Sequence, residues 1–498
     1  MRRSGILLHI SSLPSPWGIG TLGLEAYKFI DFLYSSKVGV WQMLPTGPTG
    51  YGDSPYQSFS AFAGNPYFID LDMLCEDGLL KPYEFTRLNW GQNPERADYH
   101  MMYEHRFGVL RAAYERFADD GSPDFNQFKQ SNQSWLQDYA LFMALKDLYG
   151  GAPWYDWKDD VKNRVPFAIK ALGGKLARET GFHEFTQYIY FKQWKKLMLY
   201  AKAHGVMLMG DMPIYAALDS ADVWANAGLF LLDDLKRPVS VSGVPPDYFS
   251  PDGQLWGNPL YNWPVIKDTG FSWWKRRVRR LIEQFDLIRI DHFRGFADYY
   301  SIPGNARTAV SGKWTEGPRE QLFNALTSEL GPLPFVAEDL GLLTPSVEGL
   351  LHSTGFPGMS VLCFAFSSGS ANKHLPHLAC ENRVMYTTTH DNEPAEAWWE
   401  RISEPDKSYA LRYMNMRDDE SISWAMIRTA FSSVCKLAVT PMQDVLGLGI
   451  EARMNRPGTL GGNWAWRLKA QAGPDVSERL RELNLLYGRC LDSAAIFS

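Results

Sequence analysis

The sequence predicts an α/β fold, an eight-stranded (β/α)8 TIM barrel, on two observations. Eight short apolar runs recur along the 498 residues, and segments with helical periodicity lie between the later runs. The runs are continuous rather than alternating in hydrophobicity, which is typical of parallel strands that are buried on both faces. A doubly wound open sheet would give a similar succession of strands and helices, and it remains the alternative architecture.

Each predicted strand is a short apolar run that ends at polar residues, glycine or proline. Helical periodicity at Trp274–Phe285 and at Arg319–Leu330 supplies two of the helices that should connect consecutive strands. In chain order, the predicted strands are Gly5–Ile10, Val38–Leu44, Val206–Gly210, Leu287–Ile290, Pro334–Ala337, Met359–Phe366, Val384–Thr387 and Lys436–Thr440.

The long interval between the second and third predicted strands indicates an insertion. Residues 45–205 separate these strands, far more than one crossover helix requires. Helical periodicity recurs within the interval, at Met102–Phe117 and Trp135–Leu148. We therefore predict a mainly helical insertion over residues 46–200.

A second insertion follows the third predicted strand. We predict loops and helices over residues 212–285, where Val244–Gly253 is rich in proline, glycine and aspartate and predicts an ordered loop. Residues 1–498 would then form a single barrel unit. Both insertions follow the carboxyl ends of strands, where a barrel carries its binding surface.

The composition excludes several classes of partner and cofactor. Lys plus Arg is 50 and Asp plus Glu is 56, a net charge of −6 without basic blocks, which argues against a nucleic-acid partner. Five scattered cysteines without CxxC spacing predict neither a disulfide framework nor a metal site. No apolar run is long enough to cross a membrane, and the first residues lack a signal peptide, so a cytoplasmic protein is expected. A loose GxGxxA match at 447–452 follows no strand, so no dinucleotide cofactor is predicted.

Aromatic residues make up 14% of the chain, and many lie beside glycine, proline or short polar residues. Tyr56 and Trp256 are examples. An aromatic face next to polar groups suits a sugar, whose C–H patches stack while its hydroxyls form hydrogen bonds. Aromatic residues in a large protein mostly pack in the core, however, so composition alone favours core packing.

Carboxylates mark the carboxyl ends of four predicted strands. They are Asp211, Asp291, Glu338 and Asp391. In a barrel, side chains at these ends converge on one pocket even when they are far apart in sequence. Carboxylates that meet there shift one another's pKa values, so that one stays protonated while another stays ionised. A pair about 5 Å apart would be the arrangement of a retaining glycosidase, with a nucleophile and an acid/base.

Simpler interpretations exist for single members of this set. Asp211 or Asp339 alone would be interpreted as the N-cap of the next helix. Arg289 and Asp291 could form only a surface salt bridge. Residues i and i+2 of a strand face the same side, however, so both should point into the barrel.

Together, these motifs resemble the four conserved regions of the α-amylase clan. Their particular versions resemble the 4-α-glucanotransferases, also called amylomaltases or disproportionating enzymes, and the similarity covers nearly the whole chain. The four regions are GDMPIY at 210–215, RIDHFRG at 289–295, AEDLG at 337–341 and THDN at 389–392. Further matches are HISSLPSPWGIG at 9–20, YGDSPYQSFSAFAGNP at 51–66, GVPPDYFSPDGQLWGNPLY at 243–261 and LGLGIEARMNRPGTLGGNWAWR at 446–467.

The resemblance implies a role for each of three carboxylates. Asp291 would be the nucleophile that forms a β-glucosyl-enzyme intermediate. Glu338 would be the general acid/base, and Asp391 would hold the 2- and 3-hydroxyls of the distorted sugar.

The resemblance also implies a set of binding residues and no cofactor or metal ion. Arg289 would hold Asp291 ionised and orient it. The other implied binding residues are Asp211 and His390 on the donor side, Tyr56 under the donor ring, Trp256 on the acceptor side, His292, and Asn463 with the loop 455–459 at the rim of the glucan groove.

The expected activity is transfer of an α-1,4-glucan segment from a maltooligosaccharide to the 4-hydroxyl of another glucan or of glucose. Amylases of the clan carry a β-sandwich after the barrel, and residues 468–498 are too few for one, as in the glucanotransferase branch. An α-1,4-glucan hydrolase of the same clan is the nearest alternative, because it would use the same carboxylates. A non-catalytic glycan-binding protein is disfavoured, because all three carboxylates are present.

Overall fold

The computed structural model describes residues 2–50, 52–117, 122–246, 250–341, 343–459 and 461–490. Within these ranges the strands are β1 Arg3–Leu7, β2 Val40–Gln42, β3 Met207–Met212, β4 Ser240–Val244, β5 Gln254–Pro259, β6 Leu287–Ile290, β7 Asp298–Pro303, β8 Lys313–Glu316, β9 Phe335–Ala337, β10 Gly358–Val361, β11 Arg383–Tyr386 and β12 Leu437–Pro441.

Eight parallel strands form a barrel in the order β10-β11-β12-β1-β2-β3-β6-β9. Each of the eight predicted apolar runs contains or overlaps one of these strands, and the run at Leu287–Ile290 coincides with β6. The strands are buried almost throughout, as continuous hydrophobicity predicted. The (β/α)8 prediction is confirmed, and the open-sheet alternative is wrong.

The seam between β9 and β10 is closed by Asp339. The Ala337 amide donates to the Pro357 carbonyl at 2.8 Å, and the Met359 amide donates to Asp339 Oδ1 at 2.6 Å. Arg383 on β11 lies 3.0 Å from Asp339 Oδ2 as an ion pair. A Cβ at residue 358 would lie 2.5 Å from that carboxylate, so glycine is required there. Asp339 therefore joins strands, and its interpretation as a helix cap is wrong.

Helices surround the barrel and fill the intervals between its strands. They are α1 Leu24–Ser35, α2 Leu71–Glu76, α3 Tyr99–Met101, α4 Phe107–Phe117, α5 Pro123–Ser131, α6 Leu136–Leu148, α7 Asp159–Lys162, α8 Pro166–Lys175, α9 Ala177–Ala203, α10 Ala221–Ala225, α11 Trp263–Asp268, α12 Ser272–Ile282, α13 Arg319–Leu330, α14 Pro345–Thr354, α15 Ala395–Arg401, α16 Glu404–Met414, α17 Ile422–Ser432, α18 Met442–Val445 and α19 Pro474–Leu486. A π-helical turn, Met102–Arg106, precedes α4. None of the described helices is long and apolar enough to cross a membrane.

The region between β2 and β3 contains helices α2 to α9. The two helices predicted within it by periodicity are present, as the π turn with α4 and as α6. Two buried glutamines of α9 fix the chain that follows β2, because Gln187 accepts from the Gly64 amide at 2.8 Å and Gln193 from the Asp70 amide at 2.7 Å. The chain between β2 and α2 is thereby attached to a long helix.

A four-stranded antiparallel sheet, β5-β4-β7-β8, lies beside the barrel. The sequence predicted only loops and helices over residues 212–285, whereas β4 and β5 fall within that range. Of the predicted loop Val244–Gly253, residues 247–249 lie outside the described residues. Trp256 lies on β5 and therefore belongs to a strand.

Candidate active site

Four carboxylates lie at the carboxyl end of the barrel, as the strand pattern predicted. Asp211 is the penultimate residue of β3, Asp291 follows β6, and Glu338 follows β9. Asp391 lies in the loop after β11. Since parallel strands direct these ends to the same face, side chains from four distant segments share one pocket.

Arg289 holds two of these carboxylates together. In the register of β3 and β6, Asp211 lies opposite Arg289, so their side chains are neighbours. One guanidinium nitrogen of Arg289, Nη1, donates to Asp211 Oδ1 and Oδ2 at 2.9 and 2.7 Å, and to Asp291 Oδ1 at 3.0 Å. Arg289 and Asp211 are buried, so the arginine is not part of a surface salt bridge. The Arg289 and Asp291 side chains point the same way at the end of β6, as their spacing predicted, because they are hydrogen-bonded to each other.

Burial and the neighbouring charges shift the pKa values of Arg289 and Asp211. Burial by itself lowers the pKa of Arg289, but the charges of Asp211 and Asp291 outweigh it and raise that pKa well above its ordinary value. Burial raises the pKa of Asp211, although Arg289 opposes the shift. Arg289 therefore remains a cation shared between two carboxylates.

Glu338 lies beside the segment that carries Asp291. The His292 amide donates to Glu338 Oε2 at 2.8 Å, and the Leu340 amide donates to Oε1 at 3.1 Å. Burial raises the pKa of Glu338 to about 7; Arg289 and the two amides oppose this shift, while Asp291 adds to it. Near neutral pH, Glu338 can therefore hold a proton and also release it.

Tyr56 and His390 form one wall of the pocket. The Tyr56 hydroxyl donates to Asp211 Oδ2 at 2.9 Å and lies 2.9 Å from His390 Nε2. The two rings stack with their centroids 5.5 Å apart. Burial lowers the pKa of His390, so its imidazole is neutral at pH 7. His390 Nε2 is also 3.5 Å from Asp391 Oδ2, which connects this wall to the third carboxylate.

Next to Asp291, Trp256 contacts His292 edge to face, with ring centroids 4.8 Å apart. Trp256 is half-buried, and its indole N–H donates to Gln254 at 3.1 Å. His292 has a left-handed backbone, with φ 52°, and burial lowers its pKa to about 4. Its Nε2 atom is buried without a hydrogen-bond partner in the described part of the chain, so it could bind a substrate hydroxyl.

Asn463 differs from the other predicted binding residues. Its side-chain oxygen Oδ1 accepts from the Arg456 main-chain amide at 3.1 Å, and its side-chain nitrogen Nδ2 donates to Thr459, so these hydrogen bonds stay within its own loop. The next residue, Trp464, packs against Tyr56 and His390 at centroid distances of 5.6 and 6.2 Å.

Sequence reasoning missed Trp464 and a buried carboxylate, Asp444. Trp464 has a left-handed backbone, with φ 63°, which is uncommon for a residue with a bulky side chain. Such backbone conformations are concentrated at functional sites. Asp444 accepts from the hydroxyls of Thr387 and Thr388 at 2.6 and 2.7 Å, and from the Ala395 amide at 2.8 Å. It thereby ties down both ends of the loop that carries His390 and Asp391. Adjacency to Asn463 was the available signal for Trp464, and no local pattern marked Asp444.

Comparison with known proteins shows that this chain is similar to one group of enzymes. A family model described as 4-alpha-glucanotransferase matches residues 8–472. The chain is 47% identical to the 4-alpha-glucanotransferase of Thermus thermophilus, over 97% of this chain and 98% of that protein. It is 46% identical to the 4-alpha-glucanotransferase of Streptococcus pneumoniae, over 98% of this chain and 97% of that protein.

Two solved structures share the architecture. Amylomaltase from Streptococcus agalactiae, in complex with acarbose, superposes with a TM-score of 0.96 at 41% identity, covering 98% of this chain and 100% of that chain. Amylomaltase from Corynebacterium glutamicum superposes with a TM-score of 0.75 at 20% identity, covering 98% of this chain and 75% of that chain, and shows a shared fold.

Proposed function

The chain belongs to the 4-alpha-glucanotransferase family and has that enzyme activity, and on this premise we propose a retaining double displacement with Asp291 as the nucleophile. The donor is a maltooligosaccharide, and the acceptor is the 4-hydroxyl of a second α-1,4-glucan or of glucose. The observation that best supports this mechanism is the pairing of Asp291 with Arg289 beside a carboxyl group, Glu338, whose pKa is about 7.

In the first step, Asp291 attacks C1 of the donor sugar while the bond from C1 to the glycosidic 4-oxygen breaks. Arg289 donates to Oδ1 and fixes the plane of the carboxylate, with Oδ2 as the attacking atom. Glu338 gives its proton to the departing 4-oxygen, so the leaving glucan is released with a hydroxyl. The donor segment remains linked to Asp291 through an ester.

In the second step, the acceptor 4-hydroxyl attacks C1 and the ester bond to Asp291 breaks. Glu338 takes the acceptor proton and returns to its starting form. Each displacement inverts C1, so the product keeps the α configuration. The reaction consumes one glycosidic bond and forms one.

The donor sugar would lie between Asp391 and the wall formed by Tyr56 and His390. Asp391 would accept hydrogen bonds from the 2- and 3-hydroxyls and stabilise positive charge on the ring. Neutral His390 would bind the same sugar, and Tyr56 would support it with an aromatic face. Asp211 would act through Arg289 and Tyr56, because its carboxylate is fully buried behind them.

The acceptor sugar would lie on the side of Trp256 and His292, and Asn463 would shape the rim through its own loop. Transfer requires that this side hold a sugar and keep water away from the ester, because water is far more concentrated than any acceptor. The loops after β2 and β3 would form these walls of the glucan groove.

Incubation with maltotriose tests the activity directly. We expect glucose together with maltopentaose and longer oligomers, measured by chain-length analysis of the products. A hydrolase would give glucose and maltose without longer products, and a glycan-binding protein would leave maltotriose unchanged. Either of those outcomes would contradict the assignment.

Replacing Trp256 by Ala should raise the acceptor KM and the fraction of donor that is hydrolysed. Stacking of a ring on an aromatic face is worth about 1–3 kcal/mol, by analogy with bases, so we expect an increase in KM of about 5- to 150-fold. The measurement is initial rate against glucose concentration, with free reducing ends counted separately. Trp399, also half-buried but packed against Trp398 and Lys407, provides the control Trp399→Ala. An unchanged ratio of transfer to hydrolysis in Trp256→Ala would move the acceptor site elsewhere.

We also propose a cytoplasmic location. The cysteines within the described residues are all free thiols, which suits a reducing compartment. Cell fractionation with an antibody to the chain would test this location, and recovery outside the cytoplasmic fraction would contradict it.

A further inference from the structure

A three-residue segment, Arg453–Asn455, forms hydrogen bonds with the main chain of His390 and with the main chain and side chain of Asp391, the third carboxylate. The Asn455 amide nitrogen donates to the His390 carbonyl at 3.1 Å. The Asn455 side-chain amide donates to Asp391 Oδ1 at 2.6 Å. Arg453 donates to the Asp391 carbonyl at 2.9 Å. Three hydrogen bonds therefore fix two consecutive residues of the loop after β11.

The charge of Asp391 is left unpaired by this arrangement. Arg453 directs its guanidinium to the Asp391 main chain and to Glu393, and the Asp391 carboxylate is held by the neutral amide of Asn455. Within the described residues, His390 is the only basic side chain in ion-pair range of Asp391, at 3.5 Å, and burial lowers the pKa of this imidazole. Asp291, by contrast, shares a guanidinium with Asp211.

The same segment anchors the rim of the groove. The Trp464 amide donates to the Met454 carbonyl at 2.7 Å, and this bond closes the base of the loop that lies between them. Arg453 also donates to the Asn455 carbonyl at 2.8 Å, which stiffens the segment. Hydrogen bonds therefore fix both the main-chain N–H and the main-chain carbonyl of Asn455. A residue that positions another group needs to be held in this way.

We propose that Asn455 is a positioning residue that holds Asp391 Oδ1 with a neutral donor, so that Asp391 presents its full negative charge and its second oxygen to the donor sugar. This inference rests on the proposed role of Asp391. An amide provides the hydrogen bond without a compensating positive charge, and positive charge develops on the sugar ring only in the transition state. Asn455 therefore acts mainly on kcat.

Two variants of Asn455 separate positioning from general stability. Asn455→Ala removes the donor, and we expect kcat for maltotriose to fall about 10- to 100-fold with little change in KM. Asn455→Asp keeps the shape of the side chain but places a second carboxylate against Asp391. At neutral pH its kcat should fall as far as that of Asn455→Ala. At lower pH the two carboxylates can share one proton, which restores a donor, so the activity of Asn455→Asp relative to wild type should recover as the pH falls.

The pH comparison is made as a ratio to wild type at each pH, because Glu338 titrates in both proteins. Asn382, which donates one hydrogen bond to the Gly355 carbonyl before β11, supplies the control Asn382→Asp, with no expected change in the ratio. The other titratable and charged groups around Asp391 are unchanged in the Asn455 variants, so their titration is shared with wild type. These groups are His390, Tyr56, Arg453, Glu393, Arg289 and Asp291.

A double-mutant cycle completes the test. If Asn455 acts through Asp391, adding Asn455→Ala to Asp391→Asn should cost less than about threefold in kcat. Wild-type kcat in Asn455→Ala, additive losses in the double variant, or no recovery of Asn455→Asp in acid would overturn the inference. Near-normal activity of Asp391→Asn alone would instead overturn the proposed role of Asp391.

Discussion

Replacing Asp291 by Asn is expected to reduce glucan transfer by about a thousandfold or more while the barrel remains folded. The amide cannot form the ester, so the covalent route is lost. Stability should change little, because Arg289 keeps its two contacts with Asp211 and no buried cation is left unpaired. The measurements are maltotriose turnover and the thermal unfolding midpoint of the same preparation.

Asp268→Asn makes the same chemical change on an exposed helix residue and serves as the control. It should retain wild-type turnover and unfolding. If Asp291→Asn transferred glucan at a rate near that of the control, Asp291 would not be the nucleophile. Loss of the folded state in Asp291→Asn would show that the ion cluster is required for the fold.

Glu338→Gln should impair transfer from maltooligosaccharides far more than the release of fluoride from an α-glucosyl fluoride. Fluoride departs without protonation, so the first step no longer needs the acid. In the wild-type enzyme, kcat/KM for maltotriose should fall as the pH rises through about 7, because Glu338 loses the proton that the leaving oxygen needs. Fluoride release by Glu338→Gln should lack this decline.

The two substrates are compared on one preparation of Glu338→Gln, with wild type measured in parallel from pH 5 to pH 9. Equal loss of activity on maltotriose and on the fluoride would argue against Glu338 as the acid. A decline near pH 7 that persists with the fluoride in Glu338→Gln would assign that titration to another group.

The barrel could be predicted because its signal is local. A strand buried on both faces needs a continuous apolar run. Such a run can be recognised without knowledge of the rest of the chain, as at Leu287–Ile290. The helix Arg319–Leu330 was predicted to the residue from its own periodicity. The antiparallel sheet could not be predicted in this way, because β4 and β5 contain glycines and partly exposed residues and lack such a run.

The sequence predicted which residues belong to the site better than it predicted which of them contact one another. The carboxylates after β6 and β9 follow directly from strand ends. The second partner of Arg289, however, depends on the register that sets Asp211 opposite it, which no local pattern encodes. Asn455 and Asp391 are separated by 64 positions, and their hydrogen bond exists only because two loops fold together over the barrel.

Peptide mapping by mass spectrometry of Glu338→Gln after incubation with the α-glucosyl fluoride tests the double displacement most directly. The fluoride lets the ester form, and the missing base slows its breakdown, so the intermediate should accumulate. We expect one glucosyl group per chain, attached to the peptide that contains Asp291 and absent from Asp291→Asn/Glu338→Gln. A glucosyl group on any other residue, or fluoride release in a burst without a covalent adduct, would contradict the mechanism.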